Sequence, residues 1–245
     1  MPVAPDERGR AMNERMQPQA PARMRTEPSP ALVIFDCDGV LVDSEPISLA
    51  MLTRALNRIG VGIDVETVRA RFAGTSMVSI MACVARDYGI EAPEGFVAAV
   101  KADTLRAFDA ELQAMRGVAE AVRALRIPTC VASSSDPVRL RHSLTLTGLW
   151  PLFEGRVFSS SEVPRGKPFP DLFLHAAATM GASPSDCLVI EDSVPGVTAA
   201  RAAGMRVAGF TGGGHWSHDR DGGDLVAAGA DPVFRDFTAL STLVA

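Results

Sequence analysis

The sequence predicts an α/β fold, a doubly wound parallel sheet with an inserted helical cap domain. Three observations predict it: short apolar runs bounded by turn residues recur along the chain, helix-length segments separate the later runs, and more than ninety residues separate the first run from the second. The runs Leu32–Asp36, Thr129–Ser133, Arg156–Ser159, Cys187–Glu191 and Arg206–Phe210 read as buried strands. Asp171–Met180 before Gly181 and Val197–Ala203 before Gly204 read as helices, because glycine just past a helical pattern is the usual stop. The long gap exceeds the roughly thirty residues of a βαβ unit. It is helical in pattern over Ile47–Ile59, Val65–Phe72, Val78–Tyr88 and Gly95–Phe108, with Gly60, Gly62, Gly74 and Gly89 as punctuation. Residues 47–115 are therefore expected to form a helical cap rooted beside the first strand, and residues 31–46 and 116–245 the core. A second excursion of the core is the alternative. A cap rooted there would lie over the strand ends and exclude water from them.

Residues 1–30 differ from the rest. They carry six prolines (Pro2, Pro5, Pro18, Pro21, Pro28 and Pro30) and no periodic apolar face, and are expected to be a disordered tail, or to precede a true start near Met24. The chain as a whole has an ordinary globular composition: 47% hydrophobic, 22% charged, formal net charge −5. That modest acidity disfavours nucleic acid as a partner, and no apolar stretch reaches the ~18 residues of a membrane span. Cys37, Cys83, Cys130 and Cys187 are scattered without Cys-x-x-Cys spacing and read as reduced thiols, so a cytoplasmic protein, monomeric or weakly homo-oligomeric, is expected.

The chemistry sits at strand ends. The first run ends in Asp36-Cys37-Asp38-Gly39, and carboxylates at the carboxyl end of a buried strand are costly without a task. Asp36 is suited to act as a nucleophile, and Asp38 to handle the proton of an attacking or leaving oxygen. The same pattern also serves as a plain strand exit, with Asp capping a helix and Gly taking positive φ. The run ending in Ser133-Ser134-Ser135-Asp136-Pro137 offers a hydroxyl and backbone amides to an oxyanion, or equally an ordinary helix cap. Lys167, between Gly166 and Pro168, sits in a loop stiffened by Pro168 and Pro170, where a compact charge can neutralise a phosphoryl group or a carboxylate. Another apolar run ends in Glu191-Asp192-Ser193. If it neighbours the first, Asp192 and Asp36 converge, and two facing acids repel unless a hard cation such as Mg²⁺ lies between them.

Asp36-x-Asp38-Gly39-Val40, Ser133, Lys167-Pro168 and Glu191-Asp192 resemble, in order and context, the four motifs of the haloacid dehalogenase superfamily. The likeness covers about Leu32 to Thr211. It is closest to the phosphatase and phosphomutase branch with a helical cap after the first strand. That resemblance implies a core like that of the superfamily and an Mg²⁺-dependent phosphoryl transfer through an aspartyl-phosphate. It implies Asp36 as nucleophile and Asp38 as acid and base. Ser133 and Lys167 would hold the phosphoryl group. The metal would sit on Asp36, the Asp38 carbonyl and Asp192, with Glu191 acting through water. The dehalogenases of the superfamily are less similar, since they lack Asp at the Asp38 position.

Substrate choice belongs to the cap. Gly74, Thr75 and Ser76, with Ser134 of the core, are the candidate substrate-binding residues, and Arg71 and Lys101 are placed to meet a carboxylate or second phosphate. Each also has an ordinary surface or capping explanation. β-Phosphoglucomutase-like proteins usually follow the first motif with Asp-Thr-Ala, a histidine and Ala-Trp. Here Asp43-Ser44-Glu45, Ser48 and Ala50-Met51 stand instead. The segments Phe108–Leu112 and Leu172–Ala177 look more like bacterial sugar-phosphate phosphatases, including 6-phosphogluconate phosphatase. The expected function is a phosphatase acting on a small phosphorylated sugar or sugar acid, with a mutase as the alternative and a catalytically silent phosphometabolite-binding protein as the alternative of another class. His142 and His175 fall in expected helices. His215 and His218, spaced to bind a transition metal, fall in a glycine-rich loop read as surface; that loop follows the last strand and is placed to border the pocket, and no role is assigned to them.

Overall fold

The computed structural model describes residues 28–72, 75–216 and 221–245. The tail up to residue 27, Gly74 and His218 therefore lie outside the described residues. Six parallel strands form one sheet: β1 (Leu32–Phe35), β2 (Thr129–Ser133), β3 (Val157–Ser159), β4 (Cys187–Glu191), β5 (Arg206–Phe210) and β6 (Val233–Phe234), in the order β3-β2-β1-β4-β5-β6. The order reverses between β1 and β4, and a crevice at such a switch point is where open α/β sheets take ligands. Register makes the convergence concrete. Phe35 lies opposite both Val131 and Ile190, and the Asp36 amide donates to the Ile190 carbonyl at 3.0 Å. Asp36, Ser133 and Glu191 thus leave three adjacent strands at one edge.

Strand alternation divides the core. Val33, Phe35, Val131, Leu188 and Ile190 join a cluster on one face, while Leu32, Ile34, Cys130, Ala132, Cys187 and Val189 join a cluster on the other. Burial on both faces explains why the strands read as continuous apolar runs. Helices α5 (Val118–Ala124), α6 (Pro137–Leu146), α7 (Trp150–Phe153), α8 (Asp171–Thr179), α9 (Val194–Ala202), α10 (Gly223–Ala228) and α11 (Leu240–Leu243) surround the sheet.

Between β1 and α5 run α1 (Glu45–Arg58), α2 (Val65–Phe72), α3 (Met77–Tyr88) and α4 (Phe96–Glu111). A third cluster of buried side chains is drawn entirely from Leu49 to Val100, so these helices carry their own apolar core. The seam follows the ends of α1 and α4, where Ile47, Phe108, Leu112 and Met115 join the main core instead. Among the described residues no single helix is long and apolar enough to cross a membrane. Cys37, Cys130 and Cys187 are buried and unbridged, as core thiols should be.

Candidate active site

Lys167 is the hub. It follows β3 in a loop, its side chain is 4% exposed, and its ammonium donates to Asp36 Oδ1 at 2.7 Å, Glu191 Oε1 at 2.6 Å and the Ala132 carbonyl at 3.1 Å. Burial alone would lower its pKa, but Asp36 and Glu191 outweigh that and raise it. Lys167 is therefore a permanent cation.

Glu191 is fully buried, and its second oxygen accepts from the amides of Asp192 and Ser193 at 3.0 Å and from the Ser193 hydroxyl at 2.9 Å. Both oxygens are thus engaged, which makes Glu191 the anchor of Lys167 more directly than a partner for a water-borne metal contact. Gly196, in the first turn of α9, lies where a Cβ would run into this carboxylate.

Asp38 is held differently. Ser44 Oγ donates to its Oδ1 at 2.5 Å, Arg139 Nη2 donates to the same oxygen at 2.6 Å, and Ser135 Oγ donates to Oδ2 at 2.5 Å. Burial would raise the pKa of this carboxyl, but Arg139 and the hydroxyls overcome it and lower the value. Ser44 begins α1, yet its hydroxyl makes no cap bond because it is turned to Asp38. Arg139 also donates to Ser48 Oγ at 3.2 Å and lies 4.8 Å over the Phe108 ring, so one side chain from α6 ties Asp38 to both α1 and α4.

Asp36 and Asp192 show the opposite perturbation. Burial raises both carboxyls well above the usual range. Lys167 offsets this only partly, and neighbouring carboxylates, Glu191 foremost, push further upward. Asp36, Glu191 and Asp192 offer oxygens within 4.8 Å of one another. Four carboxylates (Asp36, Asp38, Glu191, Asp192) thus face two permanent cations, Lys167 and Arg139, and the shortfall of two charges fits one divalent cation. Oxygen ligands of this kind suit Mg²⁺. Glu45 adds to the crowding: burial, then Asp38 and Asp192, push its carboxyl up to about 7 against the pull of His215 and Arg139.

Folded Asp36, Asp192 and Glu45 hold protons more tightly than the unfolded chain does, so without a cation stability should fall as pH rises from about 4 towards the Glu45 value of about 7. Asp38 is depressed, so its own contribution is lost only at lower pH. Mg²⁺ should offset the loss and raise the melting temperature most at the upper end of that window. Melts in chelator and in Mg²⁺ across pH 4–7 would check it, and a melting point indifferent to Mg²⁺ throughout would refute it.

Over residues 30–204 the sequence matches the family of haloacid dehalogenase-like hydrolases. The chain belongs to that family. Among the relatives of this hydrolase, 6-phosphogluconate phosphatase of Escherichia coli (strain K12) is 34% identical over 176 residues, covering 71% of this chain and 80% of its own length. A haloacid dehalogenase-like protein of unknown function from Agrobacterium tumefaciens superposes with a TM-score of 0.79 at 38% identity, covering 87% of this chain and 97% of that one. A candidate β-phosphoglucomutase from Thermotoga maritima gives a TM-score of 0.70 at 28% identity, covering 86% and 97%.

The residues singled out in the sequence divide clearly. The hydrolase brings Asp36, Asp38, Ser133, Lys167, Glu191 and Asp192 to one strand edge. Ser133 is buried, and its Oγ accepts from the Ser135 amide at 3.2 Å, while Ser134 beside it is exposed. The cap residues fare differently. Ser76 is the N-cap of α3, its oxygen accepting from the Ser79 amide at 3.2 Å, so its hydroxyl has a structural use; Thr75 is exposed. Arg71 is paired with Asp87 and donates to the Tyr88 hydroxyl at 2.8 Å, which ties α2 to α3. Lys101 on α4 lies 3.2 Å from Asp136, the N-cap of α6, and so ties α4 to α6. Ser44, Ser135 and Arg139 are not expected at the site from the sequence, whereas the loop of His215 is expected only to border the pocket. Ser135 stands inside the second motif, Ser44 in the segment that departs from the mutase pattern, and Arg139 follows the second motif by one turn. His215 overturns its reading as loop surface: it is 6% exposed, because its loop leaves β5 at the same edge as the acids.

Proposed function

We propose that this chain is an Mg²⁺-dependent sugar-phosphate phosphatase that works through an aspartyl-phosphate. The observation that carries the reading is Lys167 bridging Asp36 and Glu191 at the switch point of the sheet, beside a second aspartate held by its own donors. Asp36 attacks phosphorus, and the phosphorus–oxygen bond to the sugar breaks as the bond to Asp36 forms. Asp38 gives a proton to the leaving alkoxide, then takes one from the water that cleaves the acyl phosphate. Lys167 and Ser133 hold the phosphoryl oxygens, and Lys167 also orients Asp36. Asp36, the Asp38 carbonyl and Asp192 would hold Mg²⁺, which supplies charge neutralisation to the transferring group. The helices α1–α4 act as the cap, with Thr75 and Ser76, and Ser134 of the core, as candidate substrate contacts; Gly74, the remaining candidate, lies outside the described residues.

Likeness to 6-phosphogluconate phosphatase favours a phosphorylated sugar or sugar acid as substrate. Phosphate release from a panel of sugar phosphates, with and without Mg²⁺, tests the reading. Interconversion of glucose 1- and 6-phosphates without net release would favour a mutase instead, and binding without turnover a silent binding protein.

Asp38 carries a prediction of its own. Arg139→Met removes the charge that keeps this carboxyl ionised, so its pKa should rise, and the basic limb of the kcat/KM profile, where the leaving alkoxide needs a protonated Asp38, should move up by about one pH unit or more. An unmoved limb would mean that Asp38 is not the group titrating there.

A further inference from the structure

Resting on the metal-dependent reading above, we propose that His215 is a positioning residue for the metal-binding carboxylate Asp192, carried on a glycine loop that the fold presses onto the first aspartate loop. The segment Gly212-Gly213-Gly214-His215-Trp216 follows β5 and is seated from two sides. The Gly214 amide donates to Asp43 Oδ1 at 2.9 Å, and Trp216 is 4% exposed. Between these anchors His215 Nε2 lies 3.1 Å from Asp192 Oδ2, with both side chains 7% exposed.

The approach is close enough to require glycine on both loops. A Cβ at Gly39 (φ +79°) would land on Asp192 Oδ2 and lie 3.1 Å from His215 Cε1. A Cβ at Gly213 would lie 2.8 Å from His215 Nδ1 and 3.2 Å from the Gly39 carbonyl. Side chains at either place would lift the imidazole off the carboxylate. A surface loop has no need of such tight seating.

An imidazole N–H facing one carboxylate oxygen fixes how the carboxyl group is turned and leaves the other oxygen to a cation. Partners of this kind around a metal ligand typically change metal affinity or activity by about 10–100-fold when lost. His215 faces a carboxylate that would hold the metal, so its effect should appear in metal binding.

Mg²⁺ binding to the full chain, read by calorimetry and by the fluorescence of Trp216, whose ring lies 5.6 Å from that of His215, provides the test. His215→Leu should weaken Mg²⁺ binding by about 10–100-fold with an unchanged melting temperature in chelator. His215→Gln, whose amide can donate from nearly the same place, should bind Mg²⁺ close to wild type. Equal Mg²⁺ affinity in His215→Leu and wild type overturns the proposal. Absence of Mg²⁺ binding by the wild type overturns the metal reading beneath it, and is told apart because no variant is needed to see it. Should His215→Leu fail to fold, nitrogen-15 histidine spectra of the wild type decide: the Nε2 resonance, assigned against His215→Gln, should shift on adding Mg²⁺, and an unmoved resonance overturns the role.

Discussion

Asp36→Asn is expected to cut phosphate release by at least about 10⁴-fold while leaving the fold intact. Asparagine has nearly the same shape, and its carbonyl oxygen can still accept from Lys167 Nζ, which lies 2.7 Å from Asp36 Oδ1. What it lacks is a negative oxygen to bond to phosphorus. The electrostatics run the other way for stability. Burial pushes the Asp36 carboxyl well above its usual range, so the ionised form is held in the fold at a cost that asparagine does not incur. Activity should therefore collapse while the melting temperature in chelator holds or rises. That pairing separates a lost nucleophile from a damaged fold. Phosphate release in the variant near the wild-type rate would remove Asp36 from the mechanism, and Ser133 and Lys167 with it as groups that serve an aspartyl-phosphate.

Much of this was legible before any coordinates, for identifiable reasons. Buried parallel strands are apolar on both faces, so Thr129–Ser133, Cys187–Glu191 and Arg206–Phe210 could be bounded to the residue. Strand β6 could not: at two residues, Val233–Phe234, it makes no run to detect. Helix α9 begins at Val194, earlier than its apolar pattern, because the Ser193 cap and Pro195 set the first turn where apolar periodicity is silent. Residues on strand ends could be placed together because register is nearly rigid. Arg139 and His215 could not, since a helix turn and a glycine loop aim side chains in ways that depend on packing. The cap candidates were the least legible. Capping residues and substrate hydroxyls are the same residue types, and Ser76 is occupied with its own helix.

Lys167→Met should be the most destabilising single change at the site, by about 3–5 kcal/mol at pH 7, and should also abolish turnover. Methionine keeps the apolar stem beside the Phe173 ring, over which Lys167 Nζ now lies at 5.0 Å, so the cost is electrostatic and not a cavity. Loss of the ammonium strands Asp36 and Glu191 together, both of them buried, and Asp36 is already disfavoured in its ionised form by burial and by its carboxylate neighbours. Two consequences distinguish this from a general packing defect. Destabilisation should shrink as pH falls through the carboxyl range, because protonation removes the uncompensated charge; for a group whose folded pKa is raised, stability is lost as pH rises. The cost should also be smaller in an Asp36→Asn background, where one of the two stranded charges is gone. Urea unfolding of the two single variants and the double variant at pH 7 and pH 4.5 measures both effects. Additive losses independent of pH would mean that Lys167 stabilises the fold through its stem, and would leave the charge balance at the sheet edge to be supplied by another group.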